Sequence, residues 1–318
     1  MARKLRRSLT ALALLLVAAG ATFYFRPLWV FDQFQSLRLI SGGVSSRKVV
    51  IDGHKMHYYL RGPENGTPIV LIHGLGGRSE DWLSLAPYLV KAGYRVYTPD
   101  LLGFGGSDEP ADFSYSIPDQ ARLVVQFFDA MGLQQPDLAG WSMGGWIVQK
   151  VAVDHPERVH RLVLMDSVGL HMQPDWDTEL FTPTTPAELD KLDALLMPHP
   201  PTLPAFLSGD ILRTSAHSSW VIKRALASML TGKDVMDAQL PALKMPVLIL
   251  WGDMDHIAPL SEGQAMHALI PQSRLEIAPG CGHLAPIQCA QSYSAELLRF
   301  LRANPPLPPD ERVLRGLV

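Results

Sequence analysis

The chain has 318 residues, of which 47% are hydrophobic and 19% are charged, so it suits a globular protein with a sizeable core. Its formal net charge of −3 gives no bias toward nucleic acid, and its two cysteines cannot build a disulfide framework. The eleven histidines are scattered without metal-ligand spacing, and we therefore expect neither a metal nor another cofactor.

The N-terminus has the composition of a membrane anchor. Basic residues within positions 3–7 precede an uncharged run, residues 8–25, which as a helix would span about 27 Å, enough for a bilayer core. The alternative is a cleaved signal peptide, for which residues 19–21 offer a small-residue site. The aromatic residues at 23–25 favour an anchor that is retained. We predict a cytoplasmic basic stub and transmembrane helix over 1–26, with the body of the protein on the periplasmic side of a bacterial inner membrane.

Residues 27–43 form the next unit and end in a Ser-Gly-Gly sequence. Phe31, Phe34 and Leu37 share one face of a predicted helix. The pattern is typical of a juxtamembrane amphipathic helix, and a helix packed on the body would give the same pattern.

A β-hairpin opens the body, with strands at 49–51 and 56–60 joined by Asp52-Gly53. Strands and helices then alternate, as in a parallel, doubly wound sheet with right-handed crossovers. The predicted strands of this part are 68–72, 94–97, 136–141 and 162–165, and the predicted helices are 82–89, 117–131 and 143–154.

The alternation breaks after Gly169, in a segment rich in proline that contains no clear strand. We predict that residues 170–240 form a helical lid, with helices at 187–197 and 219–230. The alternation returns with strands at 246–250 and 274–277 and helices at 261–270 and 290–302. The α/β core is therefore predicted to comprise 44–169 and 241–303, followed by an extended, exposed Pro-rich tail over 304–318.

Ser142 is the predicted nucleophile. It lies between Gly140 and Gly144 in a G-x-S-x-G sequence, after a predicted strand and before a predicted helix. A serine on such a sharp turn needs neighbours without Cβ atoms, and the turn lifts its hydroxyl off the sheet toward a substrate carbonyl.

A serine nucleophile needs a base, and the base needs an orienting acid. His283 directly follows the last predicted core strand, at the sheet edge where such folds place their chemistry, and we predict it as the base. Asp255, after the preceding strand, is the predicted acid. Asp253 is expected instead to bind backbone amides in its own turn, and Asp166 remains an alternative acid.

The oxyanion formed by the attack requires preorganised donors. One predicted donor is the backbone N–H of Met143, at the start of the helix after the nucleophile. The other is the N–H of Leu75, in the glycine-rich sequence after strand 68–72. His73 precedes this sequence, and we expect it to be a structural hydrogen-bonding residue rather than a second base.

Cys281 and Cys289 lie on either side of His283. A disulfide between them would brace the base if the body is periplasmic. We expect them instead to be two free, small hydrophobic residues.

Over residues 48–303 the chain resembles the α/β-hydrolase superfamily in its motifs and in the order Ser142, Asp255, His283. The motifs that carry the resemblance are H-G-L-G from His73, P-D-L-L-G-F-G-G-S from Pro99, G-W-S-M-G-G from Gly140, W-G-D-M-D from Trp251 and G-H at Gly282. The basic anchor and the helix after it are similar to those of bacterial membrane-bound lipases and phospholipases A. That similarity implies dimerisation through the anchor region.

The resemblance implies a membrane-anchored serine hydrolase that cleaves the carboxylic esters of acyl lipids. Its partners would be an acyl-lipid or other hydrophobic ester and the membrane, without nucleic acid. Two further enzymes share this fold and triad: a hydrolase of carbon–carbon bonds in ring-cleavage products, and a cofactor-free haloperoxidase-like enzyme. A binding protein on a hydrolase scaffold would usually lack a triad residue, and none is missing here.

Overall fold

The computed structural model describes residues 2–314, which form nine strands and ten α-helices. The strands are β1 (Ser45–Ile51), β2 (His54–Arg61), β3 (Thr67–Ile72), β4 (Tyr94–Pro99), β5 (Asp137–Trp141), β6 (Leu162–Met165), β7 (Val247–Gly252), β8 (Ser273–Ala278) and β9 (Asp310–Val313). The helices are α1 (Ala2–Phe25), α2 (Pro27–Ser41), α3 (Ala86–Lys91), α4 (Ile117–Met131), α5 (Met143–Asp154), α6 (Pro186–Leu196), α7 (Ala205–Met229), α8 (Leu260–Leu269), α9 (Ala285–Gln288) and α10 (Ala290–Arg302).

All nine strands belong to one sheet, in the order β1-β2-β4-β3-β5-β6-β7-β8-β9. The β1–β2 hairpin and the β2–β4 pair are antiparallel, and every later pair is parallel. The predicted mostly parallel α/β fold is thus confirmed. The carboxyl ends of β3, β5, β7 and β8 lie along one edge, where the connecting loops meet.

The sheet is covered on both faces, which explains the continuous apolar runs of its central strands. On β3, Val70 and Ile72 face one hydrophobic cluster, which includes Phe127 of α4. Their neighbours Ile69 and Leu71 face the other cluster, which includes Leu297 of α10. The sheet is therefore rigid enough to hold side chains from different strands in a common geometry.

Residues 170–240 contain α6, α7 and a short 3₁₀ helix, Thr178–Phe181, and no strand among the described residues. The segment packs over the carboxyl edge of the sheet. Trp146 of α5 donates a hydrogen bond from Nε1 to the Asp234 carbonyl at 2.8 Å, which ties the end of this lid to the core.

Helix α1 contains a 19-residue stretch, Arg7–Phe25, that is long and apolar enough to cross a membrane and is not buried against the protein. A signal sequence would satisfy the same criterion. Near its end, the ring of Tyr24 stacks on Phe206 of the lid helix α7, with 5.7 Å between centroids. Helix α1 therefore meets the rest of the protein at helix α7.

Helix α2 packs on the body and also leaves an apolar face exposed. Its body-facing side is held by the 2.8 Å ion pair between Asp32 and Arg78 and by buried Leu39. Phe34 and Leu37 are exposed on the opposite side, and Phe31, which is also exposed, borders a cavity between α2 and Arg78. The packed alternative thus accounts for one face, and membrane contact through the exposed apolar face stays a prediction.

The structure corrects three sequence predictions of secondary structure. The tail is not merely extended, because residues 310–313 form β9, which pairs in parallel with β8; residues 315–318 lie outside the described part. The predicted helix 82–89 is divided into a 3₁₀ helix, Ser79–Leu83, and α3, because Pro87 is tolerated only in the first turn of a helix. Helix α7 begins fourteen residues before the predicted 219, directly after Pro204.

Candidate active site

Ser142 lies on the sharp turn between β5 and α5. Its backbone φ is +56°, a left-handed conformation that a residue other than glycine rarely adopts. A Cβ on Gly140 would overlap the carbonyl oxygen of Gly144, and one on Gly144 would overlap that of Ile72. The two flanking glycines are thus required by the close approach of strand and helix, as the sequence pattern predicts.

The structure brings Ser142, His283 and Asp255 together from three separate loops. Ser142 Oγ lies 2.8 Å from His283 Nε2, and His283 Nδ1 lies 2.7 Å from Asp255 Oδ2. All three side chains are buried. The other carboxylate oxygen, Asp255 Oδ1, accepts hydrogen bonds from the amides of Ile257 and Ala258, so the orientation of the acid is held by its own loop. This arrangement can deprotonate the serine hydroxyl as it attacks.

The two predicted oxyanion donors flank Ser142. As the first residue of α5, Met143 has an N–H without a partner earlier in the helix. Leu75 follows Gly74, and a Cβ on Gly74 would lie 3.1 Å from Ser142 Cβ, so this backbone closely approaches the serine. Among the described residues, no hydrogen bond occupies the Leu75 N–H.

Neither of the other two aspartates contacts His283 within the described part of the chain. Asp253 Oδ1 accepts from the amide of Gly280, so it binds a backbone amide as expected, but in the loop after β8 rather than in its own turn. Asp166 is fully buried and accepts hydrogen bonds from the amide of Gly252 and the hydroxyl of Tyr293. Burial, and then the charge of Asp255, raise the pKa of Asp166 well above its usual value. The structure thus uses Asp166 to support the β7 turn that carries Asp255.

His73 is occupied by backbone groups. Its Nε2 accepts from the Leu101 amide at 3.0 Å, and its Nδ1 lies 2.8 Å from the Gly74 carbonyl. Both ring nitrogens are engaged in holding the glycine-rich turn, which is the structural role that the sequence analysis expects.

Cys281 and Cys289 form a disulfide, and the expectation of two free cysteines is wrong. Their Cα atoms lie 6.3 Å apart because the short helix α9 folds back beside the loop that carries His283. The bond closes this loop and so restricts the base. The separation of eight residues between the two cysteines does not by itself predict that the chain reverses direction between them.

Trp141, next to the nucleophile, is a functional residue that the sequence analysis missed. Its Nε1 donates a hydrogen bond to the backbone carbonyl of His283 at 2.7 Å. The indole ring lies 5.8 Å from the imidazole, centroid to centroid. Trp141 therefore positions the loop of the base from the strand of the nucleophile, and its place in the G-W-S-M-G motif is the signal that could have revealed it.

Two cavities meet at Ser142, and both are also lined by Leu75 and Phe181. The smaller, of about 160 Å³, lies between α5 and the lid and is lined mainly by apolar side chains, among them Trp146, Met172, Trp176, Leu226 and Met229. The larger, of about 330 Å³, lies under α6 and α7 and is also lined by His283 and Asp81. Neither is lined by a lysine or an arginine among the described residues. Within residues 2–314, no cluster of three or more His, Cys, Asp or Glu side chains is arranged to hold a metal ion.

A model of the α/β hydrolase fold matches residues 67–196 and 205–288. The chain therefore belongs to the α/β-hydrolase family, and within it the serine at the nucleophile turn makes it a serine hydrolase.

The relatives of the chain include enzymes of two chemistries. It is 31% identical over 267 residues to the 2-hydroxymuconate semialdehyde hydrolase of Pseudomonas putida, covering 80% of this chain and 93% of that enzyme. It is 28% identical over 262 residues to Lipase 1 of Psychrobacter immobilis, covering 76% of this chain and 80% of the lipase. The crystal structure of a membrane phospholipase A, described as a bacterial virulence factor, superposes with a TM-score of 0.77 at 30% identity, covering 94% of this chain and all of that one.

Proposed function

We propose that the protein is a membrane-anchored serine ester hydrolase that cleaves hydrophobic carboxylic esters of acyl lipids. Ser142 attacks the ester carbonyl while His283 Nε2 accepts its proton, and Asp255 holds the His283 ring in the required tautomer. The amides of Leu75 and Met143 stabilise the oxyanion. His283 then protonates the departing alcohol, and water, activated by the same base, releases the fatty acid from Ser142.

The charges of the side chains that line the two cavities are the observation that favours an ester over a substrate of carbon–carbon hydrolysis. The hydrolase of Pseudomonas putida acts on a muconate derivative, whose name denotes a carboxylate. An anion buried without a cationic partner is strongly disfavoured. No lysine or arginine lines either cavity at Ser142 within the described residues, and the histidines there are His171 in the smaller cavity and the base, His283, in the larger. A neutral acyl ester meets no such penalty, and its chain fits against the apolar walls.

The location of the activity follows from the anchor. We infer that α1 stays in the bacterial inner membrane, that the catalytic body is periplasmic, and that the exposed face of α2 contacts the bilayer. The basic residues at the start of α1 and the disulfide beside His283 support this orientation, because positive charge favours the cytoplasmic side and a disulfide persists in an oxidising compartment. A homodimer through the anchor region remains a prediction.

The test of the reaction is an assay of the full chain in detergent with esters of increasing acyl length and with 2-hydroxymuconate semialdehyde. We expect hydrolysis of long-chain esters and no turnover of the semialdehyde. Turnover of the semialdehyde, with activity confined to short esters, would overturn the proposal in favour of carbon–carbon hydrolysis.

The test of the anchor is fractionation of cells that express the chain with and without residues 1–26. We expect the full chain in the membrane fraction at its unprocessed mass and the truncated chain outside it. A soluble, processed product from the full-length gene would show that the segment is a cleaved signal peptide.

A further inference from the structure

The two cavities at Ser142 can be assigned to the two halves of an ester from the position of His283. In the second half of acylation, the base donates its proton to the oxygen of the leaving alcohol, so the alcohol must lie beside His283 Nε2. His283 lines the larger cavity and not the smaller. The larger cavity therefore receives the alcohol, and the smaller cavity, which His283 does not line, receives the acyl chain.

Asp81 is the one charged side chain among the described residues that line the alcohol cavity, apart from the base itself. It belongs to the 3₁₀ helix Ser79–Leu83, which follows the glycine-rich turn that contains Leu75. Its Oδ2 accepts a hydrogen bond from the amide of Arg78 at 2.9 Å. No hydrogen bond within the described part of the chain engages its Oδ1.

We propose that Asp81 is a specificity-determining residue, which selects esters of neutral alcohols that carry a free hydroxyl, such as acylglycerols, over esters whose alcohol carries an anionic group. This inference rests on the proposed ester hydrolysis and names the class of alcohol that the same site accepts.

The physical basis is a carboxyl acceptor at the edge of an otherwise apolar cavity. A hydroxyl of a glycerol moiety can donate to Asp81 Oδ1. Burial raises the pKa of Asp81, and a hydroxyl donor favours its ionised form, which accepts a stronger hydrogen bond than a neutral group does. A phosphate in the same place would face a carboxylate without a lysine or arginine among the described lining residues. The cavity thus favours a neutral polar alcohol and disfavours a phosphorylated one.

The experiment compares three substrates with one acyl chain: 1-octanoylglycerol, 1-octanoylglycerol 3-phosphate and methyl octanoate. The wild-type full chain in detergent is measured against Asp81→Asn, in which the amide oxygen can still accept from Arg78 and so preserve the turn. We expect Asp81→Asn to lower the preference for the glycerol ester over its phosphate, as a ratio of kcat/KM, by about tenfold. Methyl octanoate, which offers no hydroxyl and no charge, should be cleaved at about the wild-type rate.

The matched control is Asp190→Asn, which makes the same change at an exposed aspartate that lines neither cavity. Its preference ratio should stay within about twofold of wild type, since the charge it removes is screened by water. An unchanged ratio in Asp81→Asn, with methyl octanoate still cleaved, would overturn the role of Asp81 and leave ester hydrolysis intact. Failure of the wild-type chain to cleave all three esters would instead overturn the proposed function.

Discussion

The described residues contain two hydrogen-bonded Ser–His–Asp triads with nearly the same distances, one at the active site and one that joins β1 and β2 to the loop after β4. In the first, Ser142, His283 and Asp255 are joined at 2.8 and 2.7 Å. In the second, Ser46 Oγ lies 2.9 Å from His57 Nε2, and His57 Nδ1 lies 2.6 Å from Asp100 Oδ2. By hydrogen bonding alone, the two could not be told apart.

Their surroundings differ in what a nucleophile needs. Ser142 has a strained backbone at φ +56°, stands at the start of α5 and lines two cavities. Ser46 is an exposed residue within the regular edge strand β1 and lines neither of those cavities. A histidine base beside a serine is therefore not sufficient for a hydrolytic site. The site also needs preorganised hydrogen-bond donors for the oxyanion and a cavity for the substrate.

The electrostatics of the two regions also run in opposite directions. Burial alone would raise the pKa of Asp100, but the hydrogen bond with His57, the nearby His73 and the Gly106 amide together lower it. Around Asp255, by contrast, burial and the charge of Asp255 itself raise the pKa of Asp166, and they raise that of Glu262 to about 7. The surroundings of Asp100 thus stabilise its ionised form and with it the folded state. Around Asp255, by contrast, three carboxyl groups lie close together, and active sites commonly carry such a cost in stability.

The largest expected effect separates the two serines. Ser142→Ala should lower ester hydrolysis by about 10⁴-fold or more and abolish labelling by a fluorophosphonate, because the nucleophile is gone. Ser46→Ala, the matched control, should keep both. Mass spectrometry of the labelled peptide provides the measurement. Labelling of Ser46 in the Ser142→Ala variant at the wild-type rate would show that the second triad is also reactive.

The next effect separates the two aspartates by kinetics. Asp255→Asn should lower kcat by about 10³-fold with little change in KM, because the amide cannot hold the reactive tautomer of His283. Asp100→Asn should leave the kcat of the folded enzyme within about threefold of wild type, since it touches no reacting group. Steady-state kinetics on one long-chain ester checks both variants. Equal losses of kcat in the two would remove the distinction drawn between the triads.

The same Asp100→Asn variant should show its effect in stability. At pH 7 we expect the free energy of unfolding to fall by about 3 kcal/mol, because the buried donors of His57 and Ser79 and the Gly106 amide would meet an amide group. The lowered pKa means that this contribution is present above the unfolded value of about 3.9 and is lost as the pH falls through the folded value. Urea unfolding at pH 7 and pH 3 should show the gap narrowing in acid. A gap of the same size at both values would contradict the assignment.

A smaller effect of opposite sign is expected at Glu262, whose two carboxylate oxygens are buried without a hydrogen-bond partner in the described residues. Burial, then Asp255 and Asp237, raise its pKa to about 7, so the folded protein binds this proton more tightly than the unfolded chain. The proton bound to Glu262 therefore contributes its full stability to the fold below the unfolded pKa of about 4.3. This contribution is lost as the pH rises through the folded pKa of about 7.

Glu262→Gln should accordingly raise the free energy of unfolding by about 2 kcal/mol at pH 8 and change it little at pH 4. Thermal or urea unfolding at the two pH values measures this. Destabilisation at pH 8 would mean that Glu262 has a favourable partner in its charged form.

The Ser142 turn could be predicted from the sequence because its chemistry is local. The glycines at 140 and 144 allow the strand and the helix on either side of Ser142 to approach closely. The apolar runs of β3 and of β5 to β8 follow from burial on both faces of the sheet. The order Ser142, Asp255, His283 identified the loops that meet, since parallel strands bring their carboxyl ends to one edge.

Several features had no comparable local signal. The Cys281–Cys289 bond depends on the reversal of α9, and the hydrogen bond from Trp141 to His283 joins residues 142 positions apart. Strand β9 lies in a proline-rich tail whose composition favours extended chain, and its pairing depends on the free edge of β8. The Ser46–His57–Asp100 triad joins two strands and a loop that no motif relates.

The amino-acid sequence by itself determined the family fold, the nucleophile turn and the apolar N-terminal helix, because each depends on contacts or compositions within one short segment. Only the tertiary structure decided which of the two Ser–His–Asp triads has cavities, which cavity is lined by the base, and which charged side chain lines that cavity. Those properties depend on the lid closing over the sheet edge, and the distances between such remote segments are set by packing rather than by any local pattern.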